Sequence, residues 1–172
     1  MRLTVERGFD QVTVEAIAEA ANISRRTFSN YFACKEEALL YGERLYIDSF
    51  AHHLRERPPG EAAWPALRGA VRALYTSWGK PLDREWARRT RLARDHPSLL
   101  ARQLANQDRL SLDLEAALGG RVGPPGVRSG VLVAVFLAGL RVAVTAWSEQ
   151  EGRDLLSVVD EVLDEVGSPF DR

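Results

Sequence analysis

The chain has 172 residues, 45% of them apolar, a formal net charge of −1 and a single cysteine. This length and apolar content suffice for a packed core, either in one domain or in a small domain followed by a larger one. A lone cysteine cannot form an internal disulfide, and no charged-then-apolar segment that resembles a signal peptide begins the sequence. We therefore expect a cytoplasmic protein.

Residues 13–32 predict two short helices joined by a tight turn. The apolar residues of the first helix follow the i, i+3, i+4, i+7 spacing of an amphipathic helix: Val14, Ile17, Ala18 and Ala21. Thr13 precedes this run and is placed to cap it. Asn22 tolerates the left-handed conformation that ends many helices, and Ile23 after it is expected to pack between the two helices.

The second helix of the pair has the composition of a DNA-reading helix. Ser24 is placed to cap it, and Phe28 and Phe32 share a face that we expect to be buried. The remaining side chains are left for the outer faces and the helix ends: Arg25, Arg26, Thr27, Ser29, Asn30 and Tyr31. Arginine can donate two hydrogen bonds to guanine and asparagine can bond adenine, whereas hydroxyl groups and lysine hold phosphates. The same pattern also fits an ordinary helical bundle whose polar residues are merely solvated.

Positive charge is concentrated between Asn22 and Lys35 although the whole chain is slightly acidic. No Asp or Glu occurs between Asn22 and Lys35, a stretch that contains Arg25 and Arg26. A local basic surface of this kind is typical of a protein that binds nucleic acid through one small region.

The N-terminal part of the chain resembles the DNA-binding domain of the TetR family of transcriptional regulators, over roughly residues 3 to 47. The resemblance is carried by Glu6-Arg7-Gly8-Phe9, Thr13-Val14, Ile17-Ala18, Asn22-Ile23-Ser24, Thr27, Tyr31-Phe32 and Lys35-Glu36-Glu37-Ala38-Leu39. It implies an all-α protein with a DNA-binding domain in residues 1–46 and a regulatory domain in residues 47–172. It also implies a homodimer on a palindromic double-stranded operator, released when a small ligand binds the regulatory domain. The DNA contacts that it implies are Thr13, Arg25, Arg26, Thr27, Ser29, Asn30, Tyr31 and Lys35.

Two departures from the family pattern bear on DNA binding. Residues 1–7 precede Gly8, so more than half of the family's first helix is missing, and we expect either a truncated start or a weakened affinity for DNA. Cys34 stands where the family prefers Ser, Asn or Asp as the cap of the next helix, and a thiol is a poorer cap.

The sequence of the rest of the chain predicts further helices, which are separated by Gly and Pro residues. The predicted helices are 35–57, one from near Pro65 to about Gly79, 83–94, 97–118, an apolar helix around 131–147 and a final helix 153–166, with a loop at 119–126.

The longest apolar run, Val131 to Trp147, is short for a membrane span and is interrupted by Arg141, so a buried helix and no membrane are expected. It has two apolar faces. One predicted core face holds Leu132, Phe136, Leu140, Ala143 and Trp147, and the other holds Val131, Val135, Ala138, Val142 and Ala146.

The second face and the final helix predict a four-helix dimer interface. The interface candidates are Val131, Val135, Val142, Leu155, Val159 and Val162. On periodicity alone these residues could equally fill a monomeric core, and the family resemblance favours the dimer. Two-fold pairing would place the recognition helices about 34 Å apart, or a multiple of that.

Aromatic residues mark the candidate effector pocket: Trp64, Tyr75, Trp78, Trp86, Phe136 and Trp147. Such residues are more often simply part of a core. An arginine-rich stretch comprises Arg84, Arg88, Arg89, Arg91, Arg94 and Arg102, which is either a solvated face or a site for an anionic head group, as in an acyl-coenzyme A. The C-terminal half, 91–166, is similar to the branch of the family typified by the mycofactocin-system regulator.

An enzyme is not expected. The sequence has no Gly-x-Ser-x-Gly elbow, no phosphate-cradling glycine loop and no Cys/His spacing suited to zinc, so we expect no catalytic residue, no metal and no cofactor. The remaining alternative is a helical small-molecule-binding or interaction protein that has lost DNA binding.

Overall fold

The computed structural model describes residues 8–77, 96–124, 126–150 and 152–167. These residues form seven α-helices and no strand, which confirms the expected all-α fold. The helices are α1 (Val14–Ala20), α2 (Arg25–Tyr31), α3 (Lys35–Arg55), α4 (Ala63–Ser77), α5 (Pro97–Leu118), α6 (Val127–Glu149) and α7 (Leu155–Gly167), with a 3-10 turn at Gly119–Arg121. Residues 1–7 and the helix predicted at 83–94 lie outside the described residues.

The predicted helix ends agree closely with the structure. Helix α5 begins at Pro97 and ends at Leu118, where Gly119 has a positive φ of 54°. Proline needs no N–H partner in the first turn, and glycine adopts positive φ without strain, so both ends follow from the sequence. Helix α6 begins earlier than the predicted apolar run, at Val127, because the Ser129 hydroxyl accepts a hydrogen bond from the Gly126 N–H at 2.9 Å.

The main core lies among α3, α4, α5, α6 and α7. Its centre is aromatic: the Trp64 and Phe136 rings pack edge to face with centroids 5.3 Å apart, and Phe50 lies 6.1 Å from Phe136. All three side chains are fully buried. Four of the five residues on the predicted core face of α6 are buried, Leu132, Phe136, Ala143 and Trp147, and Leu140 is half-buried against the same core.

A second, smaller cluster joins the N-terminal helices to the start of α5. It consists of Phe9, Leu40 and Leu99, with Leu39 packed against it. Helix α3 contributes Leu40 to this cluster and Ile47 to the main core. The predicted boundary between residues 46 and 47 therefore falls inside one continuous helix.

Helix α6 is the one described helix that is long and apolar enough to cross a membrane. A buried helix of a folded core passes the same test of length and composition. Phe136 and Ala143 of α6 are completely buried, and 33% of its most apolar stretch lies inside the fold.

Candidate DNA-binding surface

The turn between α1 and α2 is built by the residues that the sequence singled out. The Thr13 hydroxyl accepts a hydrogen bond from the Ala16 N–H at 3.2 Å, which confirms its capping role. Asn22 has φ 54°, the left-handed conformation predicted for it. Its N–H donates to the Glu19 carbonyl and the Ile23 N–H donates to the Ala18 carbonyl, both at 2.9 Å, so the last carbonyls of α1 are satisfied.

The expected position of Ile23 is wrong. Its side chain is 38% exposed rather than packed between the helices. The buried positions of the pair are Ala18 and Phe28, each 2% exposed, which leave no need for a third apolar side chain in the turn.

Helix α2 is held by its cap and by aromatic residues on its inner face. The Ser24 hydroxyl accepts from the Thr27 N–H at 2.9 Å and lies 2.8 Å from the Thr27 hydroxyl. The ring centroids of Phe28 and Phe32 lie 5.3 Å apart. The ring of Phe32 also packs edge to face against that of Tyr41 of α3, with centroids 5.3 Å apart. These contacts fix the rotation of α2 about its axis.

The outer face of α2 is open and polar. Arg25, Arg26, Ser29, Asn30 and Tyr31 are exposed, and Thr27 is half-buried. Tyr31 is 76% exposed at the end of the helix. An arginine pair, an asparagine and hydroxyl groups thus share one accessible surface, as the chemistry of groove reading requires.

Glu15 is a feature of this surface that the sequence analysis missed. Its carboxylate lies 2.9 Å from the Arg25 guanidinium, and both side chains are exposed. The pair joins α1 to α2 across the turn. No spacing rule within one helix predicts it, because the two residues lie on different helices.

Lys35 is half-buried and is bonded to other parts of the protein. Its ammonium group donates to the carbonyls of Phe9 and Val12 at 3.0 Å and to that of Asp10 at 3.5 Å, and it lies 4.3 Å from the centre of the Phe9 ring. In this arrangement the ammonium faces three carbonyls of the segment before α1 rather than an open surface. It fixes that segment against the start of α3.

The Cys34 thiol does not cap the start of α3, in keeping with its being a poorer cap. Cys34 precedes the helix and makes no side-chain capping bond. The Glu37 carboxylate instead accepts a hydrogen bond from the Ala33 N–H at 2.9 Å.

The first turns of α5 are bonded to this end of α3. Ser98 donates to Glu36 at 3.3 Å, and the Arg102 guanidinium lies 3.4 Å from the Glu37 carboxylate. Burial tends to raise the pKa of Glu36, but hydrogen bonds from its own N–H, from Cys34 and from Ser98 outweigh this and lower the pKa. The His96 ring also lies 5.2 Å from that of Phe9. The DNA-binding helices and the start of α5 therefore form one bonded unit.

The predicted pocket residues fall into two groups. Trp64 and Phe136 pack together in the main core. The Trp147 indole donates to the Arg153 carbonyl at 3.0 Å and the Tyr75 hydroxyl donates to Asp154 at 3.2 Å, so both fix the segment between α6 and α7. Trp78, Trp86 and the arginines from 84 to 94 lie outside the described residues.

The predicted interface residues are also divided. Val131 is 50% exposed and Val142 is 53% exposed, while Val135 and Val162 are half-buried. Leu155 and Val159 are buried in the core of the single chain, and their assignment to an open interface is corrected accordingly. The apolar face of α7 packs closely against α6. A Cβ at Gly139 of α6 would lie 3.0 Å from Leu163 of α7.

Comparison with known proteins agrees with this fold and surface. Residues 1–41 match the family described as "Bacterial regulatory proteins, tetR family", and residues 61–171 match "MftR C-terminal domain". The chain is 33% identical over 166 residues to the HTH-type transcriptional regulator TcmR of Streptomyces glaucescens, an alignment that covers 90% of this chain and 72% of that protein. The chain belongs to the TetR family of transcriptional regulators. It has a DNA-binding domain and is not an enzyme.

Proposed function

We propose that the chain is a ligand-responsive repressor that binds a palindromic operator as a homodimer in the bacterial cytoplasm. A small hydrophobic or amphipathic effector releases it from DNA. The observation that carries the proposal is helix α2, whose inner face is fixed by Phe28 while its outer face carries Arg25, Arg26 and Asn30 in the open.

The residues of this surface have different parts in DNA binding. Arg25, Arg26 and Asn30 read base edges, because guanidinium and amide groups can form paired hydrogen bonds with guanine and adenine. Hydroxyl groups hold phosphates and fix the register: Thr13, Thr27, Ser29 and Tyr31. Lys35 keeps the N-terminal segment in place, and its phosphate contact requires that the ammonium leave one of its carbonyl partners.

A second copy of the chain pairs along α6. Several exposed positions of this helix follow the alternating spacing of three and four residues that lines a helix–helix seam: Val127, Val131, Ala134, Ala138, Arg141 and Thr145. Exposed Val142, four residues after Ala138, extends the same face. Val127 is 87% exposed, and the alanines allow close approach of a second helix. Homodimers are typical of the family.

Effector binding reaches the DNA-binding helices through α5. Ser98 and Arg102 of α5 bond Glu36 and Glu37 of α3, so a shift of the first turns of α5 displaces the recognition helix. An effector that binds more tightly when the first turns of α5 are shifted weakens DNA binding. The size of this effect equals the difference between the effector's affinities for the two positions of α5. An acyl-coenzyme A remains a predicted effector.

The proposal is tested with the promoter region beside the chain's own gene, by fluorescence anisotropy at several stated salt concentrations. Tight binding with a steep salt dependence is expected, and Arg25→Ala should weaken it by about tenfold or more. Arg55→Ala is the matched control, since Arg55 is exposed at the far end of α3.

Equal effects of the two substitutions would contradict base reading by α2. Absence of any salt-dependent binding by the wild type would instead favour the alternative, a helical ligand-binding or interaction protein that has lost DNA binding.

A further inference from the structure

Glu15 is an acidic residue in the helix pair that faces DNA. It lies in the first turn of α1, and its side chain is 57% exposed. In a helix-turn-helix protein the first helix of the pair crosses the phosphate backbone. Phosphates repel a carboxylate at this place, so Glu15 lowers the affinity for DNA in general unless it has a compensating role.

The partner of Glu15 is the first residue of the recognition helix. Oε1 of Glu15 lies 2.9 Å from Nη1 of Arg25, and Arg25 begins α2. The first residues of a recognition helix are the ones that contact base edges. The ion pair therefore brings the first turns of α1 and α2 together and places the acid where it can direct a base-reading arginine.

The two neighbouring arginines of α2 differ in this respect. Arg26 is exposed and forms no ion pair with any residue in the described part of the chain. Arg25 uses one terminal nitrogen for Glu15, which leaves its Nε and its other terminal nitrogen as a donor pair. A planar donor pair of this kind matches O6 and N7 of guanine.

The fold of the helix pair does not depend on this contact. The side chains of Arg25 and Glu15 are 72% and 57% exposed, and exposed ion pairs contribute little to stability. Helix α1 is capped by Thr13, and the pair is held together by buried Ala18 and Phe28. The consequence of the contact is thus the direction of the Arg25 guanidinium rather than the stability of the chain.

We propose that Glu15 is a specificity-determining residue that directs the Arg25 guanidinium at a guanine. The inference rests on the proposed reading of bases by α2 and deepens it by naming the base and the residue that selects it. Guanine supplies the two acceptors that the directed donor pair requires. At any other base the paired acceptors are missing, and Glu15 keeps the guanidinium from turning to a phosphate instead. Glu15 therefore penalises the wrong base more than it helps the right one.

The test selects preferred sequences from a pool of DNA duplexes in which about 20 base pairs, two turns of the helix, are randomised. The full chain is compared with Glu15→Ala, Arg25→Ala, the double variant and Glu19→Ala. Glu19→Ala is the matched control, because Glu19 is exposed on the same helix and pairs with no cation among the described residues. Fluorescence anisotropy then measures the affinity of each protein for the enriched duplex and for its single-base variants.

Arg25→Ala should lose the preference for guanine at one position of each half-site, which identifies the base that Arg25 reads. At that position the wild type should bind guanine about tenfold or more tightly than any other base. Glu15→Ala should reduce this ratio to about threefold or less, mainly by binding the wrong bases more tightly. Added to Arg25→Ala, it should change no base preference, since the arginine that it directs is absent.

Several results would overturn the proposal. These are an undiminished guanine preference in Glu15→Ala, an equal loss in Glu19→Ala, a base other than guanine at the Arg25 position, and a changed preference when Glu15→Ala is added to Arg25→Ala. A thermal midpoint that is lower by about 4 °C or more in Glu15→Ala would also overturn it, because Glu15 would then act through the stability of α1.

The selection keeps the two proposals apart. If the wild type enriches a palindromic sequence whose base preferences Glu15→Ala leaves unchanged, only the role of Glu15 is removed. If that role holds but the enriched sequence does not occur in the promoter region beside the chain's own gene, only the repressor proposed for that promoter is removed. A wild type that enriches no sequence removes both.

Discussion

At the residue scale, the end of α7 depends on the absence of a side chain. Gly167 is the last residue of that helix, and the buried indole of Trp64 occupies the space beside it. A Cβ at position 167 would lie 2.8 Å from Cε2 of Trp64 and closer still to Nε1. Trp64 is fixed by Phe136 in the main core, so it has little room to retreat.

Gly167→Ala should therefore lower the free energy of unfolding by about 1–3 kcal/mol through overpacking. Gly42→Ala is the control, because Gly42 lies inside α3 and a Cβ there meets nothing within 4 Å. That substitution should stabilise the chain by about 0.5–1 kcal/mol through its helix preference. Denaturant unfolding of both variants checks the prediction, and a neutral or stabilising effect at position 167 would contradict the packing around Trp64.

Residues whose role depends on immediate neighbours were predictable from the sequence, and others were not. Thr13, Ser24 and Asn22 act on backbone groups within a few positions, so their types and spacing were sufficient. Lys35 bonds carbonyls more than twenty residues earlier in the chain, and nothing in its own helix indicates this.

At the scale of elements, hydrogen bonds from two arginine side chains fix the end of α3 to the start of α4 and the end of α5. Arg57 forms two hydrogen bonds with Glu61, at 2.8 and 2.6 Å. Arg121 donates to the carbonyls of Arg57 at 2.7 Å and Pro58 at 3.1 Å. Hydrogen bonds from Arg57 are the main cause that lowers the pKa of Glu61 below its usual 4.5.

Because the pKa of Glu61 is lower in the folded chain than in the unfolded one, this carboxylate stabilises the fold at neutral pH. The contribution is complete above about pH 4.5 and is lost as the pH falls through the folded value. Glu61→Gln should thus cost about 0.5–1 kcal/mol at pH 7 and progressively less in acid. Urea unfolding from pH 7 to pH 3 measures this, with exposed Glu56→Gln as control, and a constant cost across the range would contradict the ionic role of Glu61.

Helix faces illustrate what periodicity can and cannot predict. The stripe on α7 was predicted to form a dimer interface, whereas Leu155, Val158 and Val159 are enclosed in the core of the single chain. Periodicity does not say which surface covers a stripe, and here α6 of the same chain covers it. The second face of α6 is the one that stays open, with Val131 and Val142 about half exposed.

At the scale of the whole molecule, the DNA-binding helices and the C-terminal helices share structural parts. Helix α3 belongs to both apolar clusters, and α5 begins in one cluster and continues into the other. A displacement of α3 or α5 in the main core would therefore also act on the N-terminal helices, because both helices contribute to the two clusters. This continuity gives a physical basis for the proposed release of DNA.

The proposed dimer can be tested on the open face of α6. Val142→Asp places a charge at a position that is 53% exposed in the single chain, so the subunit should still fold while a close helix seam is disrupted. Leu112→Asp is the control, because Leu112 is 67% exposed on α5 and lies outside the seam. Sedimentation should show a monomer for the first variant and a dimer for the wild type and the second. Val142→Asp should also lose most of its affinity for the palindromic promoter site, since two recognition helices about 34 Å apart must act together. A Val142→Asp protein that remains a dimer would place the interface on another surface.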